Sequence, residues 1–253
     1  MTSVSDTLEL PGGLVNAAGD VCRHVRLREL TGADEEVLFA RQVSGSARVT
    51  QFLTRAIDAV EGWGAPLTEE QVAAMHLGDR DYLLLRLRQQ SLGDAVHQVM
   101  RCPACSARVD VDFNISELPV RRLSDDEVQA QAQWRVTFND ITLTLRLPTG
   151  ADLQAIEDLA LTNPAAANTR LFVRLTQAVN NGPAPTEEEV RAWPLPLRTA
   201  LSQWISEHAP GPDLFLDLTC PECAGDMSYT FDLAAFFLPS VSKTSNNSSR
   251  RSM

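Results

Sequence analysis

The sequence repeats itself at an offset of 118 residues. A Thr-Gly-Ala-Asp tetrapeptide stands at 31–34 and again at 149–152, and Cys102 is related to Cys220 by the same offset (220 − 102 = 118). The offset also joins other identical pairs: Leu27 and Leu145, Arg28 and Arg146, Thr68 and Thr186, Val72 and Val190, Arg80 and Arg198, Leu83 and Leu201, Phe113 and Phe231. Agreement across so many separate blocks indicates a duplicated unit that folds twice.

The repeat also predicts the organisation of the chain. We expect an N-terminal segment at 1–21, one repeat unit at 22–118, a polar linker at 119–139 and a second unit at 140–238. Residues 239–253 are mostly Ser, Asn, Lys and Arg, which bury too little apolar surface to offset the entropy of ordering. This tail is predicted to be disordered.

Each unit has the same predicted order of elements, which makes the fold class α+β. Alternating residues before the Thr-Gly-Ala-Asp turn predict a half-buried strand, and apolar residues from Val49 to Val60 recur at helical spacing. Thr68 and Thr186 each precede acidic residues in a capping-box pattern, which marks a helix start rather than a pair of catalytic carboxylates. A further helix and a β-hairpin close each unit.

Four of the five cysteines form two Cys-x-x-Cys pairs, Cys102 with Cys105 and Cys220 with Cys223. Each pair supplies two corners of a thiolate tetrahedron, so the two hairpins together predict one zinc-ribbon-like site. Zinc held by four thiolates has no open coordination position and would be structural. The alternative is a redox pair, but that chemistry favours a helix N-terminus after the cysteines, whereas an alternating strand follows here. Cys22 is expected to be a small buried hydrophobe.

Composition and charge exclude several classes of function. The chain has 22 basic and 33 acidic side chains, for a net charge of −11. Because this charge repels phosphate backbones and anionic lipid, we expect neither nucleic acid nor a membrane as partner. No export signal or apolar run of roughly 20 residues is evident, which favours the cytoplasm. Phosphate-loop, nucleophile-elbow and metalloprotease motifs are absent, so we expect no small-molecule substrate and no enzymatic activity.

Three stretches carry a resemblance to a known family: Leu10 to Leu14 (LPGGL), Leu27 to Glu36 (LRELTGADEE), and Leu77 to Arg88 with the Gly93 to Cys105 stretch after it. Together they resemble the T-even-type phage baseplate hub assembly family, whose relatives also occur in contractile injection systems. The resemblance implies a non-enzymatic assembly chaperone, located in the cytoplasm or associated with the particle. Its implied partners are baseplate hub or spike proteins.

The same stretch contains a candidate partner-binding surface of alternating charge, formed by Asp79, Arg80, Asp81, Arg86 and Arg88. The alternative interpretation is an ordinary solvated helix face with local ion pairs. Three functions stay open at this point. They are a transient assembly factor, a minor structural component of the baseplate, and a dithiol oxidoreductase.

Overall fold

The computed structural model describes residues 7–40, 42–130, 134–231 and 233, so the predicted tail at 239–253 lies outside the described residues. The protein has an α+β fold. The first half contains three sheet strands, four helices and a hairpin, in the order β1 (Leu8–Val15), β2 (Val21–Leu27), α1 (Gly32–Leu38), α2 (Gly45–Ala56), β3 (Ile57–Val60), α3 (Glu69–Ala73), α4 (Leu77–Leu92), β4 (Ala95–Arg101) and β5 (Arg108–Asn114).

The second half presents a similar order of elements. A short connection precedes it, made of β6 (Val120–Arg121) and α5 (Asp125–Ala130). The remaining elements are β7 (Trp134–Phe138), β8 (Ile141–Leu145), α6 (Gly150–Thr162), α7 (Pro164–Leu175), β9 (Thr176–Val179), α8 (Glu187–Arg191), α9 (Leu195–His208), β10 (Gly211–Pro212), β11 (Phe215–Thr219) and β12 (Asp226–Thr230). In each half an antiparallel three-stranded sheet (β1-β2-β3 or β7-β8-β9) precedes the terminal hairpin.

Local sequence signals explain most of the helix starts. Thr68 accepts a hydrogen bond from the Gln71 N–H while the Gln71 side chain accepts from the Thr68 N–H, which confirms the predicted capping box. Thr186 and Glu189 form the same reciprocal pair at the start of α8. These contacts satisfy backbone donors that have no partner inside the helix, and they fix where α3 and α8 begin.

The helix predicted to run as far as Val60 ends earlier. α2 stops at Ala56, and Ile57 starts strand β3, in which Val60 lies opposite Val25 of β2. Both Ile57 and Val60 are 6 % exposed. The expectation failed because pairing with a neighbouring strand buries these β-branched residues better than another helical turn would.

Two of the predicted boundaries fall within a sheet. Strand β1 lies in the predicted N-terminal segment, 1–21, and pairs with β2. The predicted linker, 119–139, contains β6, α5 and β7, and β7 pairs with β8 with Trp134 opposite Leu145. In β7 exposed Arg135 and Thr137 alternate with half-buried neighbours, so the polar composition reflects one wet face of a strand.

The core of the first half also receives residues from the end of the chain. Phe231 and Leu233 are about as buried as the central leucines of α4, at 5 % and 6 % exposure. The Phe113 and Phe231 rings lie 4.7 Å apart, so the terminal hairpin of the second half packs on that of the first. The two hairpins are thereby brought together.

Between the halves, backbone segments pack closely at glycines. A Cβ on Gly78 of α4 would lie 1.6 Å from the Pro210 carbonyl oxygen, so only glycine fits there. A Cβ on Gly150 would lie 2.1 Å from the Arg80 Nη1 atom. These two contacts fix α4 of the first half against β10 and α6 of the second.

Candidate metal centre

The two Cys-x-x-Cys pairs form matching turns at the tips of hairpins β4–β5 and β11–β12. The Cys102 N–H donates to the Ala107 carbonyl and the Cys220 N–H to the Gly225 carbonyl, both at 2.9 Å. Ser106 and Ala224, each one residue after the second cysteine, have positive φ angles of 63° and 55°. Each turn is thus closed by the same backbone hydrogen bond and places both of its sulfurs on one side of the loop.

The structure brings the four predicted ligands together. All four Sγ atoms lie within 4.8 Å of one another. Cys102 Sγ is 3.7 Å from Cys223 Sγ, and Cys105 Sγ is 3.8 Å from Cys220 Sγ. Around an ion with Zn–S bonds of ~2.3 Å, tetrahedral geometry separates the sulfurs by about 3.8 Å. The four thiols therefore have the number and spacing to hold a metal ion.

The cross-hairpin distances relate the two turns by an approximate two-fold axis. The first cysteine of each pair faces the second cysteine of the other. Cys102 and Cys220 are 2 % and 1 % exposed, whereas Cys105 and Cys223 are on the surface. Apolar side chains surround the buried sulfurs, and these are Met100, Val109, Val111 and Met227. One side of the site is therefore dry, and the other is open to exchange with solvent.

Backbone N–H groups are directed at the sulfurs. The N–H of Cys105 donates to the Cys102 sulfur and lowers the pKa of that thiol to about 7. The Gly225 N–H favours the thiolate of Cys223, but the sulfurs of Cys105 and Cys102 raise the pKa of Cys223 to about 12. Negative charge on the neighbouring sulfurs thus opposes ionisation of Cys223. A central cation would supply the compensating charge.

The predicted partner-binding residues do not form an exposed charged face. Asp79 is fully buried and accepts a hydrogen bond from the Gly12 N–H at 2.6 Å. Arg80 is 3 % exposed and donates to Thr50 Oγ1 at 2.9 Å. The expectation that Asp79 and Arg80 present charge to a partner was wrong, because other segments cover both.

The remaining charged residues of α4 are half-buried. Arg86 donates to Gln89 Oε1 at 2.6 Å and lies over the Tyr82 ring. Arg88 donates to the carbonyls of Gly93, which follows the last residue of α4, and of Ala95, the first residue of β4. Asp81 is also half-buried. A partner role for Asp81, Arg86 and Arg88 stays a prediction, and both arginines already have intramolecular partners.

Sequence reasoning missed a buried ion cluster that follows each Thr-Gly-Ala-Asp turn. Asp34 has no exposed side-chain surface and receives Arg28 Nη2 at 2.6 Å and Arg55 Nε at 3.1 Å. The Arg28 guanidinium holds the pKa of this carboxyl well below its usual range. The Thr31 N–H also donates to Asp34, at 2.9 Å. The carboxylate therefore joins strand, turn and helix.

The second half contains the same cluster. Asp152, again fully buried, receives Arg146 Nη1 at 2.5 Å and Arg174 Nε at 2.7 Å. Burial alone would raise the pKa of Asp152, but the Arg146 hydrogen bonds and charge outweigh it and lower the pKa to about 2. The identical Arg and Asp at matching positions of the repeat were the available signal. Local pattern alone marks the acid only as a helix-start residue.

The chain was compared with known proteins and protein families. No described helix is long and apolar enough to cross a membrane. No curated protein and no solved structure shows significant similarity to the chain. A family model described as T4 bacteriophage base plate protein matches residues 13–238, a range that includes both cysteine-bearing hairpins and all four clustered cysteines. The chain therefore belongs to the T4 bacteriophage base plate protein family.

Proposed function

We propose that the protein is a non-enzymatic assembly factor for the baseplate hub of a contractile phage tail or a related injection apparatus. The family match over residues 13–238 carries this proposal. Its partners would be hub or spike proteins met in the bacterial cytoplasm before the particle is complete. An assembly chaperone acts through surfaces, which agrees with the lack of recognised catalytic motifs in the sequence.

The ion we propose for the site is one structural zinc. Four thiolates at tetrahedral spacing suit zinc and fill all of its coordination positions, which leaves none for a substrate. Each hairpin supplies two ligands, so the ion would join the C-terminal ends of both halves. The zinc would stabilise the orientation of the halves, with no part in turnover.

We also propose that the chain arose by duplication of one unit. Support comes from the recurring element order and the two Asp-centred ion clusters. A second recurring arginine pattern agrees: Arg80 donates to Thr50 Oγ1 and to the Val72 carbonyl, and Arg198 donates to Thr169 Oγ1 and to the Val190 carbonyl.

A minor structural component of the baseplate is the second candidate, because the description of the matching family names a base plate protein without assigning a chaperone role. Deleting the gene and analysing purified particles by mass spectrometry separates the two. An assembly factor is required for complete particles yet gives no peptides from finished ones. A structural component is present in a fixed ratio. Normal particles from the deletion strain would contradict both.

The cysteine site can be tested in the same assay. Cys105→Ser should fail to restore particle assembly, whereas Cys22→Ser, a buried thiol outside the cluster, should restore it. A second assay, disulfide reduction by the purified protein, tests the oxidoreductase alternative. That alternative predicts that the wild type reduces a model disulfide and that Cys105→Ser does not. A metal-loaded protein that reduces a model disulfide with turnover would refute the non-enzymatic proposal.

A further inference from the structure

The two halves contribute different surfaces to the contact between them. The Leu77 N–H of the first half donates to the Pro148 carbonyl at 3.2 Å, and the Gly150 N–H of the second half donates to the Met75 carbonyl at 3.1 Å. Gly150 also lies directly on the guanidinium of Arg80. The second half thus offers its Thr-Gly-Ala-Asp segment, and the first half offers the start of α4 as the acceptor.

The acceptor face exists a second time and is open. Arg198, at the position of Arg80, holds a matching set of groups at 3.0 to 3.2 Å: Thr169 Oγ1 and the carbonyls of Ala165 and Val190. Arg80 is 3 % exposed, but Arg198 is only half-buried. Leu195, the counterpart of half-buried Leu77, is 77 % exposed. The second half therefore carries an acceptor face that no described residue covers.

The docking segment also exists a second time and is exposed. Residues 31–34 have the same sequence as the docked residues 149–152, and the backbone shape matches, with φ and ψ of −124° and 168° at Thr31 and −117° and 171° at Thr149. Gly150 is buried, whereas Thr31 and Gly32 are exposed. A Cβ on Gly32 would meet no described atom within 4 Å beyond its own helix and chain neighbours. The Gly32 N–H has no hydrogen-bond partner among the described residues.

One pair of hydrogen bonds between the halves has no counterpart at the second site, because both the acceptor and a donor are replaced there. Glu157 of α6 accepts hydrogen bonds from the Gly45 and Ser46 N–H groups at 2.7 and 3.1 Å. Gly45 is the first residue of α2, and the first residue of the equivalent helix α7 is Pro164, which has no N–H to offer. The residue 118 positions before Glu157 is Phe39. In a contact between two molecules, Phe39 would take the place of Glu157 opposite Pro164. No carboxylate would then face the proline without a hydrogen-bond donor.

We propose that a second copy of this chain docks its Thr31–Asp34 segment on the Leu195 and Arg198 face of the first, repeating the internal contact between molecules. If a two-fold axis related the two halves, Gly32 would contact Arg198 within one chain. These two residues do not meet. The contact is head-to-tail, and such contacts build a ring where the rotation closes and an open chain where it does not. The net charge of −11 opposes the association, so salt strengthens it.

Sedimentation velocity on the full, metal-loaded chain tests this from about 1 to about 100 μM, a range that covers transient interfaces. The wild type should show a mass above the monomer that rises with concentration and with salt. Gly32→Leu and Leu195→Asp should each be monomeric throughout. Leu161→Asp, the control, replaces an 84 % exposed leucine at the end of α6 and should associate like the wild type. Circular dichroism and metal content confirm that each variant is folded.

Mixing the two variants distinguishes a head-to-tail contact from a symmetric one. The Gly32→Leu chain keeps its acceptor face and the Leu195→Asp chain keeps its docking segment, so an equimolar mixture should form a dimer that grows no further. A monomeric wild type at all concentrations, or association by Gly32→Leu equal to the wild type, would overturn the proposal. A mixture that stays monomeric would also overturn it. None of these three results bears on the proposed role in assembly, because the proposed contact derives only from the internal interface.

Discussion

Replacing Asp152 by asparagine should lower the free energy of unfolding by about 2 kcal/mol at pH 7. The folded chain lowers the pKa of this buried carboxyl from 3.8 to about 2, and each unit of pKa corresponds to about 1.4 kcal/mol. The contacts responsible are those with Arg146 and Arg174. Asparagine keeps the shape of the side chain and removes its charge, so the change in stability reports the ion cluster.

The effect depends on pH in a defined direction. Because the folded-state pKa lies below the unfolded one, the stabilisation is fully present above about pH 4 and is lost as the pH falls toward 2. Urea unfolding should therefore differ most between wild type and Asp152→Asn at pH 7, where both carry the ion, and should converge in acid, where protonated thiols release it from both. Asp140→Asn, in an exposed turn, serves as the control. A difference that is absent at pH 7, or that persists unchanged near pH 2, would show that ionised Asp152 does not stabilise the folded chain.

Two further substitutions test the contacts between the halves and the cluster. Gly78→Ala should lower the free energy of unfolding by about 1–3 kcal/mol in urea titrations, because the added methyl group meets the Pro210 carbonyl. An unchanged midpoint would show that this backbone contact is loose. Cys105→Ser should lower metal affinity, measured in competition with a chelator. The loss should exceed the roughly 10–100-fold that follows removal of a residue hydrogen-bonded to a ligand, whereas Cys22→Ser should retain the ion. Equal retention by both variants would exclude Cys105 as a ligand.

The sequence predicted the features that depend on local chemistry. The capping boxes at Thr68 and Thr186 need only residues three positions apart, and the cysteine turns need only two residues between ligands. The offset of 118 residues then predicted that the two pairs lie at equivalent hairpin tips. Spacing and repeat together were sufficient to identify the four candidate ligands.

The features that sequence reasoning missed depend on contacts between distant segments. Alternating charge at Asp79 and Arg80 resembles a wet helix face, and only the positions of Gly12 and Gly150 show that both residues are covered. Similarly, Val60 keeps helical spacing with α2, and pairing with Val25 assigns it to a strand. In each case tertiary burial overrides a local pattern.

The proposed site joins the two halves through one ion that four thiolates hold. Metal analysis by native mass spectrometry, combined with X-ray absorption on the purified full-length chain, tests it most directly. We expect one zinc per chain with four sulfur neighbours at ~2.3 Å. A metal-free folded chain, an ion with fewer than four sulfur ligands, or a separate ion at each cysteine pair would contradict it.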